Sequence, residues 1–539
     1  MLQSRDDIRK DKAVDAFTDA ILQRDQPRTA ELFFNLVRRD GRSMGDALSV
    51  VTEAEAPFVQ VPNHVDVRDG QITLINNDHT ILGLRTSADL TQYLPEEYRL
   101  LGMLQSVWYI PAGLDIWNQL RGKYPGRYAT MKGINVPPPS YGPVVWNDDQ
   151  QPIVEIGGFE DRLHAHMIAT MSGDVKRSYG LFLGLVADEA VRVKLRDQML
   201  LLGLIDLQDT VMGRKARNTG HKALRARAVV DLAEHIGWER AHGVYYTGVP
   251  DMAIGPLYYS LYDAACVTVT EAFPDAGKSL KQTNQASLTP EQVEDMVRLL
   301  MEADAQSVWD QITTHLRNGI SLRSLGDAIQ MGAAELVLRT TIPRKFTEGQ
   351  HPFDYCNTAN YWMRTSDNPY QPRVLYLMAN FVNDAARANK LFSSVIEQEF
   401  AAHDLTGHTP EALLREQDEA IMAFDFARAT AVANAYLQTG ADRKPLLQSL
   451  AVHRLQIPGR SAQPEDQPLH VRGVWPQFHP SARPAVAGHR AAARRLAEDA
   501  GRARLLRSLH EGVDQTLKEE RPWLAHLTSS MPTDTFWSR

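Results

Sequence analysis

From residue 158 to about 456, apolar side chains recur at three- and four-residue spacing, and no strand alternation of useful length interrupts them. Leu181, Leu183, Leu185 and Val186 form one such stripe, and Leu200, Leu201, Leu204 and Leu207 the next. Helix starts are marked as well. Thr289-Pro290-Glu291-Gln292 places an N-cap, a first-turn proline and a capping-box glutamine in order, and Thr409-Pro410 repeats the first two. The pattern predicts a mainly α protein with a bundle-like multi-helix core. Each helix must bury its stripe against others, so the chemistry has to be found on helix faces and helix ends.

The flanks differ in texture. Residues 1–56 read as an N-terminal helical arm, with Phe17, Ile21 and Leu22 on one face and Leu32, Phe33, Leu36 and Val37 on another; it packs on the body or forms a homodimer contact. Residues 57–157 read as a small strand-containing insertion. His64 to Ile75 alternates around Asp69-Gly70 as a hairpin would, a second pair of short strands is expected at 143–146 and 151–156, and an aromatic helix from Tyr98 to Leu120 lies between. Val136 to Gly142 is a stiff proline-rich loop, of a kind used both as a binding loop and as a core cover. Beyond the core domain, 158–456, residues 457–489 hold six prolines and read as a linker. Residues 490–539 carry an arginine-rich helix and a tail, and the apolar side of that helix docks on the body or leaves its basic face for a partner.

Composition narrows the function. Against 58 Lys and Arg stand 66 Asp and Glu, a net charge of −8, so a general nucleic-acid binder is not expected. Two cysteines, Cys266 and Cys356, exclude a disulfide framework and any cysteine-rich zinc or iron–sulfur site. The charged start lacks the apolar core of a signal peptide and no apolar run reaches membrane-spanning length, so the expectation is a cytoplasmic protein without a membrane partner. No phosphate-binding glycine loop, dinucleotide fingerprint, nucleophile elbow, HExxH zinc motif or Rieske pattern occurs, which leaves no nucleotide or flavin motif.

Histidines remain. His221 precedes the Leu224, Ala228, Leu232 stripe by three residues and His235 follows it by three, which directs both along the core face. Such an imidazole is either hydrogen-bonded to a neighbouring carbonyl or bound to a metal. His351 stands before Pro352, which suits a first helical position and makes His351 an N-cap; Asp354 then is a dipole partner or shares an ion with His351. His164 and His166 diverge by about 200° on a helix, so one of them faces inward, and His79 could close a site from the side. His79, His166, His221 and His351 are thus the candidate metal ligands. Imidazole-dominated sites suit iron, zinc, copper or nickel. A carboxylate-bridged di-iron centre is less well served. Glu239-x-x-His242 and Glu348-x-x-His351 match formally, but Gly349 and Pro352 place the second on a loop.

His221-x6-Ala228 followed by Ile236-Gly237-Trp238, and His351-Pro352-x6-Ala359-Asn360, each opening a long helix, resemble the questin oxidase-like proteins. The resemblance spans at most residues 160–440. It implies a non-haem iron oxygenase of polycyclic aromatic substrates, with Fe(II) held mostly by histidines and by a carboxylated lysine, for which Lys176, Lys222 and Lys345 are the nearest candidates. The expected function is therefore a mononuclear non-haem iron oxygenase acting with O2 on a bulky apolar or aromatic small molecule. Trp108, Tyr109, Trp117, Tyr361 and Trp362 are available to line its pocket. A zinc hydrolase using the same histidines and a non-enzymatic helical scaffold are the alternatives.

Overall fold

A computed structural model of the chain describes residues 3–111, 151–388 and 405–456, apart from residues 24, 60–63, 66–71, 74–78, 156, 208–219, 254–256, 275–279, 340–345, 406 and 424. The N-terminal helices are α1 (Arg5–Arg9), α2 (Lys12–Gln23), α3 (Gln26–Phe34) and α4 (Met44–Val59). Two short strands follow, β1 (His64–Val65) and β2 (Ile72–Thr73), then α5 (His79–Thr91) and α6 (Leu101–Tyr109). The chain continues through α7 (Phe159–Met171), α8 (Val175–Val186), α9 (Arg192–Ile205), α10 (His221–Ile236), α11 (His242–Gly248) and α12 (Ser260–Ala272). It then forms α13 (Leu280–Thr283), α14 (Pro290–Glu302), α15 (Ala305–Arg317), α16 (Leu322–Arg339), α17 (Phe346–Thr365) and α18 (Gln371–Ala388). The last described helices are α19 (Pro410–Met422), α20 (Phe426–Gln438) and α21 (Lys444–Gln456).

The caps predicted from sequence are present. The Thr289 hydroxyl accepts from the backbone N–H of Gln292, whose side chain returns to the Thr289 N–H, and Thr409 caps α19 through the N–H of Ala412. The strand-containing insertion is not supported as a unit. β1 and β2 pair antiparallel with His64 opposite Thr73, two residues each, and form the only sheet among the described residues. Gln151–Glu155 makes no strand pairing; the Ile153 N–H instead bonds the Gly180 carbonyl of α8 at 2.8 Å. The expected strand at 143–146, the proline loop at 136–142, the second half of the aromatic helix, Trp117, Lys345 and everything beyond 456 lie outside the described residues.

Helices of the arm and of the insertion share one core with the rest. Phe17, Phe33, Leu82, Met103, Val229, Leu325 and Phe381 belong to a single buried cluster. A second, small cluster joins α19, α20 and α21 through Leu413, Val432, Tyr436 and Leu446. At the centre runs α10, which packs against α4, α5, α9, α11 and α17. Every residue from Lys222 to Ala233 is buried, so this helix has no solvent face. Among the described residues no helix is long and apolar enough to cross a membrane.

One close crossing is α9 on α10. A β-carbon on Gly203 would stand 2.7 Å from the Lys222 carbonyl oxygen, 2.7 Å from the Ala226 β-carbon and 3.0 Å from the Ala223 α-carbon. Backbone atoms cannot move aside as a side-chain tip can. Gly203→Ala is therefore expected to lower stability by about 1–3 kcal/mol despite alanine's better helix propensity, measured by urea unfolding.

Candidate metal centre

Three of the four candidate histidines meet. His79 and His221 are the first residues of α5 and α10, and His351 lies in the second turn of α17. The Nε2 atoms of His221 and His351 face each other at 2.9 Å across 130 residues of sequence, with ring centroids 4.9 Å apart. His79 sets its ring against His221 in an edge-on contact, centroid to centroid 5.4 Å. All three rings are half-buried, so they are reachable from solvent while their backbones are anchored.

Local chain geometry puts His221 there. Gly220 has φ +87°, a left-handed conformation, and turns the chain sharply into α10. A β-carbon at this position would also press on Phe381 at 3.1 Å and on Tyr355 at 3.3 Å. His351 is delivered differently from the sequence expectation. Helix α17 begins at Phe346 and keeps Pro352 inside it, so His351 is helical and not an N-cap. Pro352 is the seventh residue of this helix, past the four first-turn positions that lack an internal acceptor, so it gives up the backbone bond to the carbonyl four residues back. Glu348-x-x-His351 is consequently on a helix and not on a loop, although the Glu348 side chain lies outside the described residues. The other such pair has no share in this cluster, since His242 Nε2 bonds the Gln3 carbonyl oxygen at 2.7 Å.

His166 is not part of the cluster. Its Nδ1 is 2.6 Å from the Gln198 amide nitrogen and its ring packs on Phe182. Burial pushes its pKa down to about 4, so it is a neutral core histidine, the other outcome weighed for such a residue. Its neighbour His164 is exposed, as a 200° divergence requires. His235 is not directed into the core: its side chain is 38% exposed and Nε2 reaches Asp89 at 3.4 Å. Asp354 accepts from the Gln350 amide at 3.1 Å. Of the lysines, Lys222 is buried and ion-paired to Asp206, and Lys176 is exposed. Trp362 is fully buried and donates to Asp197 at 2.6 Å, and the half-buried Tyr361 is part of a polar network with Asp231.

One group went unnoticed in the sequence. Glu55, on α4, is 1% exposed, and neither carboxylate oxygen makes a full hydrogen bond. Burial pushes its pKa up to about 8, with Thr80, the residue after His79, pulling weakly the other way. At neutral pH a protonated carboxyl therefore stands beside the start of α5. Its surroundings in sequence, Glu53-Ala54-Glu55-Ala56-Pro57, held a signal: two acids two residues apart near a helix end, of which Glu53 pairs with Arg5 and Arg9 and Glu55 does not.

The 2.9 Å approach has two chemical readings. Two neutral imidazoles can share one hydrogen, one donating and the other accepting. Alternatively, nitrogens bound at about 2.1 Å to one ion sit about 3.0 Å apart when cis in an octahedron and about 3.4 Å apart in a tetrahedron, so the pair already has a spacing that metal binding requires. His79 is turned edge-on and does not converge on the same point. Among the described residues, no group of three or more His, Cys, Asp or Glu side chains is arranged to hold a metal ion.

Comparison with family models, with curated proteins and with solved structures returns no match to this chain.

Glu55 generates a pH prediction. In the unfolded chain it loses its proton near its ordinary 4.5, and in the folded chain only near 8. The folded state therefore binds more protons in between, and stability falls as pH rises through that window. Glu55→Gln is expected to gain on the wild type by up to a few kcal/mol between about pH 5 and pH 8, read from urea midpoints at several pH values.

Proposed function

We propose that the protein is a metal-dependent enzyme whose metal is held by His221 and His351, with His79 as the third protein ligand. The observation that carries this reading is the 2.9 Å Nε2–Nε2 approach between helices 130 residues apart in sequence. A hydrogen bond between two half-buried imidazoles gains little over the water each could bind, whereas two ligands of one ion must come this close. His79 could serve as a ligand only if its half-buried ring turned toward the pair. A metal held by these histidines alone would keep positions for water or substrate and would supply Lewis-acid or redox chemistry there.

Within that reading the assignment is a mononuclear non-haem iron oxygenase of a bulky apolar or aromatic small molecule. It rests on the resemblance of the His221 and His351 segments to the questin oxidase-like proteins and on the all-nitrogen donor set. Bound Fe(II) would supply the binding and activation of O2. The chain's own contribution is to hold the imidazoles in place on the ends of three helices. His166, Lys176 and Lys222 have no part in it.

Elemental analysis of protein purified without a metal-affinity tag tests the assignment. About one iron per chain is expected, falling at least tenfold in the His221→Ala, His351→Ala double variant while helical content is retained. Stoichiometric zinc at these histidines would replace the oxygenase with a hydrolase. No metal after anaerobic reconstitution with ferrous iron would overturn the metal site and leave a helical scaffold.

A further inference from the structure

The three helices that carry His79, His221 and His351 share a pattern of spacing. Six and ten residues after His79 stand Arg85 and Asp89; after His221, Arg227 and Asp231; after His351, Asn357 and Tyr361. These six side chains meet one another. Arg85 Nη1 lies 3.2 Å from Asp89 and 3.6 Å from Asp231. Arg227 donates to Asp231 at 3.3 Å and to the Asn357 side-chain oxygen at 2.7 Å. The Tyr361 hydroxyl donates to Asp231 at 3.2 Å, and the Arg227 guanidinium lies over its ring at 4.2 Å. Both arginines are 1% exposed, and the two aspartates 3% and 5%. Charge balances within the group, two cations against two anions.

Equal spacing has a geometric consequence. The sixth and tenth residues lie about 9 and 15 Å along a helix and about 240° and 280° round from its first. Since the histidines meet at one level and the six partners at another, the three helices run side by side in the same direction, each turning the same face to its neighbours. Apolar contacts alone would leave their relative height loosely fixed. A slip of one residue shifts a helix by about 1.5 Å and turns it by about 100°, which breaks the directional bonds among these buried charges. Leucines of similar volume would hold the helices together at lower desolvation cost, so a buried ionic cluster here serves register.

We infer that Arg85, Asp89, Arg227, Asp231, Asn357 and Tyr361 form a brace that positions the His79–His221–His351 cluster by locking α5, α10 and α17 in register. They are positioning residues, removed from the imidazoles by more than one helical turn. The inference depends on the metal-site reading for its functional meaning, though not for its geometry.

The experiment compares Asp231→Asn and Tyr361→Phe with Asn383→Ala, which removes the side-chain bonds from α18 to the Leu300 and Ala303 carbonyls and leaves the brace intact. Two readouts are taken at a temperature where circular dichroism shows each variant fully folded. One is cobalt(II) affinity with its visible spectrum; the other is the ring carbon–proton spectrum of His79, His221 and His351 in metal-free protein. Asp231→Asn is expected to weaken cobalt binding about tenfold, change the cobalt spectrum and move the ring signals. Tyr361→Phe should do the same to a smaller degree, and Asn383→Ala should only lower the melting temperature. If Asp231→Asn fails to fold, Tyr361→Phe, which keeps the ring and every charge, decides. Brace variants that match the wild type in both readouts would overturn the inference. A wild type that binds no cobalt would sink the metal reading alone, and the ring signals would still decide the brace.

Discussion

Burying helix α10 imposes the condition that the surrounding structure meets. It carries Lys222, Arg225, Arg227 and Asp231 into the interior along with its apolar residues. A buried charge without a partner costs several kcal/mol, so each cation must find an anion or a polar oxygen on a different neighbour. Lys222 pairs with Asp206 just beyond α9 and Arg225 with Asp251 after α11, while Arg227 reaches Asn357 on α17. Burial lowers the Lys222 pKa against the opposing pull of Asp206, which shows how strongly the interior disfavours the charge. These obligations fix which elements surround α10 and at what height.

The histidine cluster lies at the end of the same helix. His221 cannot move independently of Lys222 and Arg225, which are tied down within its own first turn and a half, and Gly220 turns the chain just before it. His351 and His79 arrive on helices that share the Arg227–Asp231 connections with α10. Rigid helices, and not loops, thus place the imidazoles, the arrangement that holds ligand geometry most closely. Partial burial leaves the rings open to a small ligand. Burial holds the Glu55 carboxyl protonated beside the start of α5.

Much of this was legible in the chain. Helical periodicity gives the all-helical core, and the Thr289 and Thr409 caps follow from local rules because a cap bonds within its own first turn. His221 and His351 could be singled out because each stands at or near a helix start, with apolar residues following at helical spacing, whereas His79 was a candidate only by lying beside the strand-containing segment. Other details were not. Helix α17 starts before His351, so Pro352 is interior and costs a backbone hydrogen bond, which the burial of Phe353, Tyr355 and Cys356 offsets. His166 has as good a local pattern as the others, yet its partner is Gln198 on α9, and no spacing rule reports that. The repeated spacing of the brace is present in the sequence, but positions six and ten from a histidine become a pattern only once the three helices are known to lie together.

The sequence by itself determined the helical class, the cap positions and the short set of histidines from which a site could be drawn, since these depend on interactions within a few residues along one chain segment. Tertiary structure decided which histidines meet, that His166 stays in the core and His235 at the surface, and that Glu55 is buried without a charge. Those outcomes depend on how helices far apart in sequence pack. Packing is settled by the sum of many small burial terms together with the few buried charges that accept only one register.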